Sequence, residues 1–199
     1  MRRLASLAVL ASLAAATPAI AAEQAIIVLD GSGSMWGQIE GTPKISIARE
    51  VLGSVLTDLP SDLSLGLMAY GHREKGNCSD IELIIAPAPG SAAEIVGTAE
   101  GISPKGKTPL SAAVRMAAEQ LRYTEDKATV ILITDGLETC DADPCALARE
   151  LEGGGVDFTA HVVGFGLSAE EGQQVACLAE ETGGKYIQAD NADALADAL

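Results

Sequence analysis

Apolar residues fall in short blocks along this chain, and their spacing alternates between the period of a strand and that of a helix. Residues 25–29 (Ala, Ile, Ile, Val, Leu) form an unbroken apolar run that stops at Asp30, as expected of a strand buried on both faces. Over residues 44–59 the period lengthens. Ile47, Val51 and Val55 share one helical face, Leu52 and Leu56 flank it, and Pro60 stands where a helix should stop. Residues 63–70 read as a second strand, with residues 81–86 as its hairpin partner across a loop of Gly and charged residues. Helical spacing returns over 91–102 and 109–123. A buried strand at 129–134, a helix at 144–152 and a strand at 156–163 follow. A helix at 168–182 is stopped by Gly183-Gly184, and a strand at 185–189 leads into a terminal helix at 191–199.

Six strands alternating with helices predict an α/β fold, a doubly wound, Rossmann-like, mostly parallel sheet covered on both faces. Only the pair 63–70 and 81–86 lacks an intervening helix, so one edge strand is expected to be antiparallel. No repeat or linker interrupts the pattern, and one domain is predicted over residues 22–199. Arg2 and Arg3 precede an apolar run at 4–16, and Ala19-Ile20-Ala21 has the form of a cleavage site. That is the anatomy of a secretory signal peptide over residues 1–21, too short in its apolar part for a comfortable membrane span. An exported protein, periplasmic or extracellular, is expected, with no membrane span after cleavage.

Charge then narrows the partners. Cleavage removes two of the 13 basic residues and none of the 28 acidic ones, leaving 11 against 28 and a formal charge of −17. Such a field repels nucleic acid and anionic membranes and concentrates cations. Four cysteines, Cys78, Cys140, Cys145 and Cys177, suggest disulfides in an exported chain, and their spacing does not resemble paired zinc knuckles.

The segment Asp30-Gly31-Ser32-Gly33-Ser34 carries the chemistry. It begins at the carboxyl end of the first strand, where open α/β sheets bind ligands. Residues 30, 32 and 34 share parity, and the intervening glycines let the backbone curl so that three oxygen-bearing side chains converge. One carboxylate and two hydroxyls are hard ligands, suited to Mg²⁺, Mn²⁺ or Ca²⁺ rather than zinc. Asp135, at the end of the 129–134 strand, and Thr108, before Pro109, can reach the same edge. Alone, Asp135-Gly136 is a turn, and Thr108-Pro109 is an N-cap with proline at N1.

Together these pieces resemble the von Willebrand factor A family, whose metal-ion-dependent adhesion site combines Asp-x-Ser-x-Ser with a distant Thr and a distant Asp. The resemblance covers nearly all of the chain after the leader. It implies a sheet in order 3-2-1-4-5-6 with strand 3 antiparallel. It also implies direct metal ligation by Ser32, Ser34 and, in an open form, Thr108, with Asp30 and Asp135 acting directly or through water. The remaining position on the metal would take an Asp or Glu carboxylate of a protein partner, and Trp36, His72 and Arg73 would rim the site. No enzymatic activity is expected.

Rival readings meet specific obstacles. Residues 101–108 match G-x-x-x-x-G-K-[ST], but a P-loop needs a strand immediately before its glycines, and Pro104 removes an amide from the cradle. Haloacid-dehalogenase-like chemistry wants a second Asp where Ser32 stands. Neither serine lies in G-x-S-x-G. His161 falls within a strand and reads as a packed histidine, and His72 as a surface one. A metal that only stabilises the fold is a further alternative.

The predicted topology also pairs the cysteines. Cys78 and Cys140 lie in loops at the carboxyl edge, whereas Cys145 and Cys177 lie in successive helices that right-handed crossovers place side by side. Bonds 78–140 and 145–177 follow, with a local 140–145 bond as the competitor.

Overall fold

In the computed structural model residues 23–199 are described, and the predicted leader lies outside them. The central strand β1 (Gln24–Asp30) is flanked by two parallel neighbours, β4 (Ser64–Tyr70) and β6 (Lys127–Thr134). Beyond β6 come β7 (Asp157–Phe165) and β8 (Tyr186–Ala189), both parallel. On the other side β5 (Ile81–Pro89) pairs antiparallel with β4. The sheet order is β5-β4-β1-β6-β7-β8, which in order along the chain is the 3-2-1-4-5-6 arrangement with its third strand reversed.

Alternation within each strand divides the core in two. Ile26, Val28, Met68, Val130, Leu132 and Val162 face α3 (Leu110–Gln120), α4 (Pro144–Gly154) and α5 (Ala169–Glu180). Ile27, Leu29, Leu67, Ile133, Val163 and Phe165 face α1 (Lys44–Leu56), α2 (Ala92–Ala99) and α6 (Ala192–Ala198). Each fully buried Leu or Ile here contributes roughly 1.5–3 kcal/mol of transfer free energy. That two-sided burial is why β1 carries no polar residue between Gln24 and Asp30.

Several features differ from the pattern-based reading. Helices α2 and α3 end at Ala99 and Gln120, short of the expected residues 102 and 123. Helix α1 ends at Leu56 and not at residue 59, because Leu59 precedes Pro60 and is driven away from helical backbone. Strand β5 continues past residue 86 through Pro87 to Pro89, with register irregularities opposite β4. Proline is tolerated there because β5 is the sheet's edge. A single 3-10 turn (Gly33–Trp36) and a short hairpin of β2 (Gln38–Ile39) and β3 (Thr42–Pro43) fill the stretch between Asp30 and α1. Among the described residues no helix is long and apolar enough to cross a membrane.

Candidate metal centre

β1 and β6 end side by side, with Asp30 closing the first and Asp135 following the second. Asp30 and Asp135 are buried, as are Ser32 and Thr108, whereas Ser34 is exposed at the mouth. The Asp30 carboxylate closes its own loop: Oδ1 accepts the Ser32 amide at 2.7 Å. Its Oδ2 accepts the Thr134 hydroxyl at 2.9 Å and the Asp135 amide at 3.3 Å. The Ser32 and Ser34 hydroxyls lie 2.9 Å apart, and Ser34 donates to Asp135 Oδ1 at 2.7 Å. Thr108 completes the ring across Gly136. A methyl group on Gly136 would sit 3.5 Å from Ser34 Oγ and 3.6 Å from Thr108 Oγ1. All five predicted oxygen-bearing side chains are therefore brought to one place.

The donor set suits a hard divalent cation. Magnesium binds oxygen at about 2.1 Å, which separates neighbouring ligands of its octahedron by roughly 3 Å. The Ser32–Ser34 separation matches that edge. Among the described residues no three His, Cys, Asp or Glu side chains gather as a metal centre, consistent with a site built largely from hydroxyls. All four cysteines are consumed in disulfides.

Several supporting residues escaped the sequence reading. Lys44, the first residue of α1, extends its ammonium to Asp135 Oδ2 at 3.0 Å and to the Gly166 carbonyl at 3.4 Å. Thr134 carries the Tyr70 hydroxyl's bond at 3.0 Å and links it to Asp30. Burial and then the nearby Asp30 charge push the Tyr70 phenol well above its ordinary range, so it stays a neutral donor. The polar ends of the two strands (Tyr70 on β4, Thr134-Asp135 after β6) were the available signal. Thr108 does not occupy the α3 cap position, which falls to Pro109. Its amide instead donates to Thr139 Oγ1 at 2.8 Å, and Glu138 accepts from the Ser111 and Cys140 amides.

The loop after β4 braces the serine loop. Gly71 holds a left-handed φ of 66°, and a side chain there would collide with the Lys107 carbonyl. Its own carbonyl accepts from the Lys105 and Gly106 amides, while Gly33 donates to the Gly106 carbonyl. The expected rim divides. Trp36 is 52% exposed, and its indole donates to the Pro104 carbonyl at 2.9 Å. His72 is half-buried with Nε2 3.2 Å from Glu82, and Arg73 bonds Asp80 and the Ile81 carbonyl. Burial raises the Asp80 pKa, but amides of Glu74 and Arg73 and the Arg73 guanidinium outweigh it and hold the carboxyl below its ordinary value. His161 accepts the Lys185 amide at 3.2 Å, and burial lowers its pKa. Residues 101–108 follow helix α2 and not a strand, so they lack the geometry of a P-loop.

The disulfides join Cys78 to Cys140 and Cys145 to Cys177, with Cα–Cα distances of 5.7 and 5.3 Å. The first ties two loops of the metal edge, and the second joins α4 to α5. With sequence separations of 62 and 32, chain entropy gives each about 4 kcal/mol, with the longer loop worth roughly 0.6 kcal/mol more. Thermal melts of the two double Cys→Ser variants are expected to rank in that order. The reverse ranking would show that strain or residual structure outweighs loop closure.

Asp30 also sets a pH dependence. Burial, followed by the charge of Asp135, raises its pKa from 3.8 to about 6. The folded state thus holds a proton between these values that the unfolded state has released, so this group's contribution to metal-free stability grows as pH falls from 7 towards 4. A divalent cation favours the ionised form and opposes that trend. The rise in melting temperature caused by Mg²⁺ is expected to be much larger at pH 7.5 than at pH 5. An equal rise at both values would show that Asp30 ionisation is not linked to the metal.

Residues 25–138 match the von Willebrand factor type A domain, and the chain belongs to that family. The Bacillus subtilis protein YwmD is 31% identical over 198 residues, spanning 92% of this chain and 88% of its own. Among solved structures, the pilus adhesin SpaC from Lactobacillus rhamnosus GG superposes with a TM-score of 0.71 at 18% identity. It covers 88% of this chain, which spans only 29% of SpaC. Mussel byssus proximal thread matrix protein 1, described with a zinc-occupied adhesion motif, gives a TM-score of 0.61 at 18% identity, over 88% of this chain and 43% of that one. These low-identity likenesses establish the fold.

Proposed function

We propose that this chain is an exported, non-enzymatic binding domain that captures a protein partner through a divalent cation held by Asp30, Ser32, Ser34, Thr108 and Asp135. The carrying observation is the convergence of three hydroxyls and two buried carboxylates at the carboxyl edge of the sheet. When bound, Mg²⁺ or a similar ion supplies an electrophilic position for an Asp or Glu carboxylate of the partner. The protein's own contribution is to pre-orient the oxygens. Asp30 is locked by the Ser32 amide and the Thr134 hydroxyl, and Asp135 by Ser34 and Lys44. The pilus adhesin among the fold neighbours supports an adhesive role, and two disulfides support an oxidising compartment.

Isothermal titration of the purified protein with Mg²⁺, Mn²⁺ and Ca²⁺ tests the reading. One site per chain is expected, together with a melting temperature that climbs with metal concentration, as binding to the native state alone requires. ATP and GTP are expected to survive incubation with the protein and Mg²⁺. Absence of divalent binding, or turnover that depends on Lys107, would overturn the assignment.

A further inference from the structure

We infer that Trp36, Lys105 and Lys107 form a docking strip beside the metal site for an acidic protein segment, one carboxylate of which reaches the metal while others meet the two lysines. The inference rests on the proposed metal-dependent function and adds the class of partner. Its basis is where the chain places its few uncommitted groups. Among the described residues only Trp36 and Val156 are large, apolar and exposed. Four lysines there, Lys75, Lys105, Lys107 and Lys185, have no carboxylate within ion-pair distance, whereas Lys44, Lys127 and four arginines do. Lys105 and Lys107 stand in the loop that backs the serine turn, and Lys75 lies in the neighbouring loop. In a chain this acidic, free cations would ordinarily be drawn into pairs with the abundant carboxylates. Here three of the four, Lys75, Lys105 and Lys107, lie in loops at the carboxyl edge, while Lys185 stands beside His161 at the start of β8 at the other end of the sheet.

The strip is held rigidly to the metal centre. The Lys105 amide donates to the carbonyls of both Gly31 and Gly71, and the Gly106 carbonyl receives the Gly33 amide. Trp36 lies over the same loop through its bond to Pro104. At the base of the loop, Arg49 binds the Ala99 and Ile102 carbonyls. The Lys107 ammonium makes only a long 3.4 Å contact with the Thr139 carbonyl, which leaves it available. The overall negative charge would repel an acidic ligand at a distance. At physiological salt, however, screening acts over about 8 Å, so a segment docked on this loop feels Lys105 and Lys107 more strongly than carboxylates elsewhere on the surface, and the acidic side chain of the adjoining loop, Glu74, accepts from Asn77. The same placement accounts for the lysines of the P-loop-like segment at residues 101–108, which has no phosphate cradle to serve. An apolar side chain of the segment would pack on Trp36, a residue type that commonly anchors interfaces.

The chain's single tryptophan makes the test direct. A twelve-residue synthetic peptide of glutamates around a central leucine is titrated into the full protein with Mg²⁺ or with chelator, reading Trp36 fluorescence. A glutamine-substituted peptide serves as the control. Metal-dependent binding of the glutamate peptide is expected, with a change in Trp36 emission. Lys105→Ala/Lys107→Ala is expected to weaken it about tenfold while Mg²⁺ still binds at one site per chain and no more weakly than to the parent. Metal-dependent binding that is equally tight in the double variant overturns the strip and spares the metal reading. Failure of the peptide to bind a protein that does bind Mg²⁺ overturns the acidic-segment inference. Lysine-dependent binding that survives chelation overturns the coupling between strip and metal, and with it the proposed use of the site.

Discussion

A protein carrying Ser32→Ala and Ser34→Ala is expected to give no heat on titration with Mg²⁺ or Mn²⁺ while keeping the circular dichroism spectrum of the parent. Both hydroxyls are direct ligands in the proposed site, and no neighbouring group can replace two oxygens at once. The fold survives because the loop is not closed by these hydroxyls. Asp30 still accepts the backbone amide of residue 32, and Gly33 still donates to Gly106. The one side-chain bond lost to a buried partner is that from Ser34 to Asp135, worth about 1–2 kcal/mol. Asp135 retains Lys44 on its other oxygen. Asp30→Ala is expected also to remove metal binding but to disturb more, since it leaves two amides without their acceptor and the Thr134 hydroxyl with only the Gly136 carbonyl. Unchanged affinity in the double serine variant would show that the metal, if bound, sits elsewhere. Unfolding of both variants would favour a metal whose role is structural.

Much of this architecture was legible because its signals are local. The apolar run before Asp30 has one structural solution when both faces of the strand are covered, and it fixes where the loop of glycines and serines emerges. The common parity of Asp30, Ser32 and Ser34 then implies convergence. The disulfides followed from topology: Cys145 and Cys177 could be paired once α4 and α5 were placed in succession along the sheet. What could not be read depends on contacts between distant segments. Lys44 looks like any lysine at a helix start, and nothing in its neighbourhood points to Asp135, 91 residues away. Thr134 and Tyr70 acquire roles only when β1, β4 and β6 lie in register. Pro87 and Pro89 read as strand breakers until β5 proves to be an edge, and the hairpin at 38–43 is too short for a periodic signal. For His72, the same loop that was expected to rim the site turns the imidazole towards Glu82.

Replacing Lys44 by methionine is expected to tighten Mg²⁺ binding about tenfold while lowering the melting temperature of the metal-free protein. Among the described residues Lys44 is the only cation in contact with the oxygen cluster, and its side chain is only 14% exposed. It neutralises one of two close carboxylates, and it anchors α1 to the β7–α5 turn through Gly166. Methionine keeps most of the apolar stem against Gly166, where a Cβ would already meet the lysine Cε at 2.9 Å, so packing is largely retained and charge alone is removed. Without it, Asp30 and Asp135 repel one another unopposed, and the metal-free fold loses about 1–3 kcal/mol. The same loss makes the cluster a stronger trap for a dication. A unit charge roughly 5 Å from a dication, at an effective dielectric of about 20, opposes binding by up to about 7 kcal/mol, and solvent screening at this partly exposed group reduces this to the one-decade effect expected here. The two effects have opposite signs, which makes the outcome diagnostic. Weaker Mg²⁺ binding in Lys44→Met would show that Lys44 acts by orienting Asp135 and not by setting the charge of the site. The bound protein offers a second check: with Lys44 present, the dication, the ammonium and two carboxylates sum to one positive charge, which calls for an anionic ligand. Lys44→Met leaves that sum neutral, so affinity for an acidic peptide in saturating Mg²⁺ is expected to fall even as affinity for the metal rises.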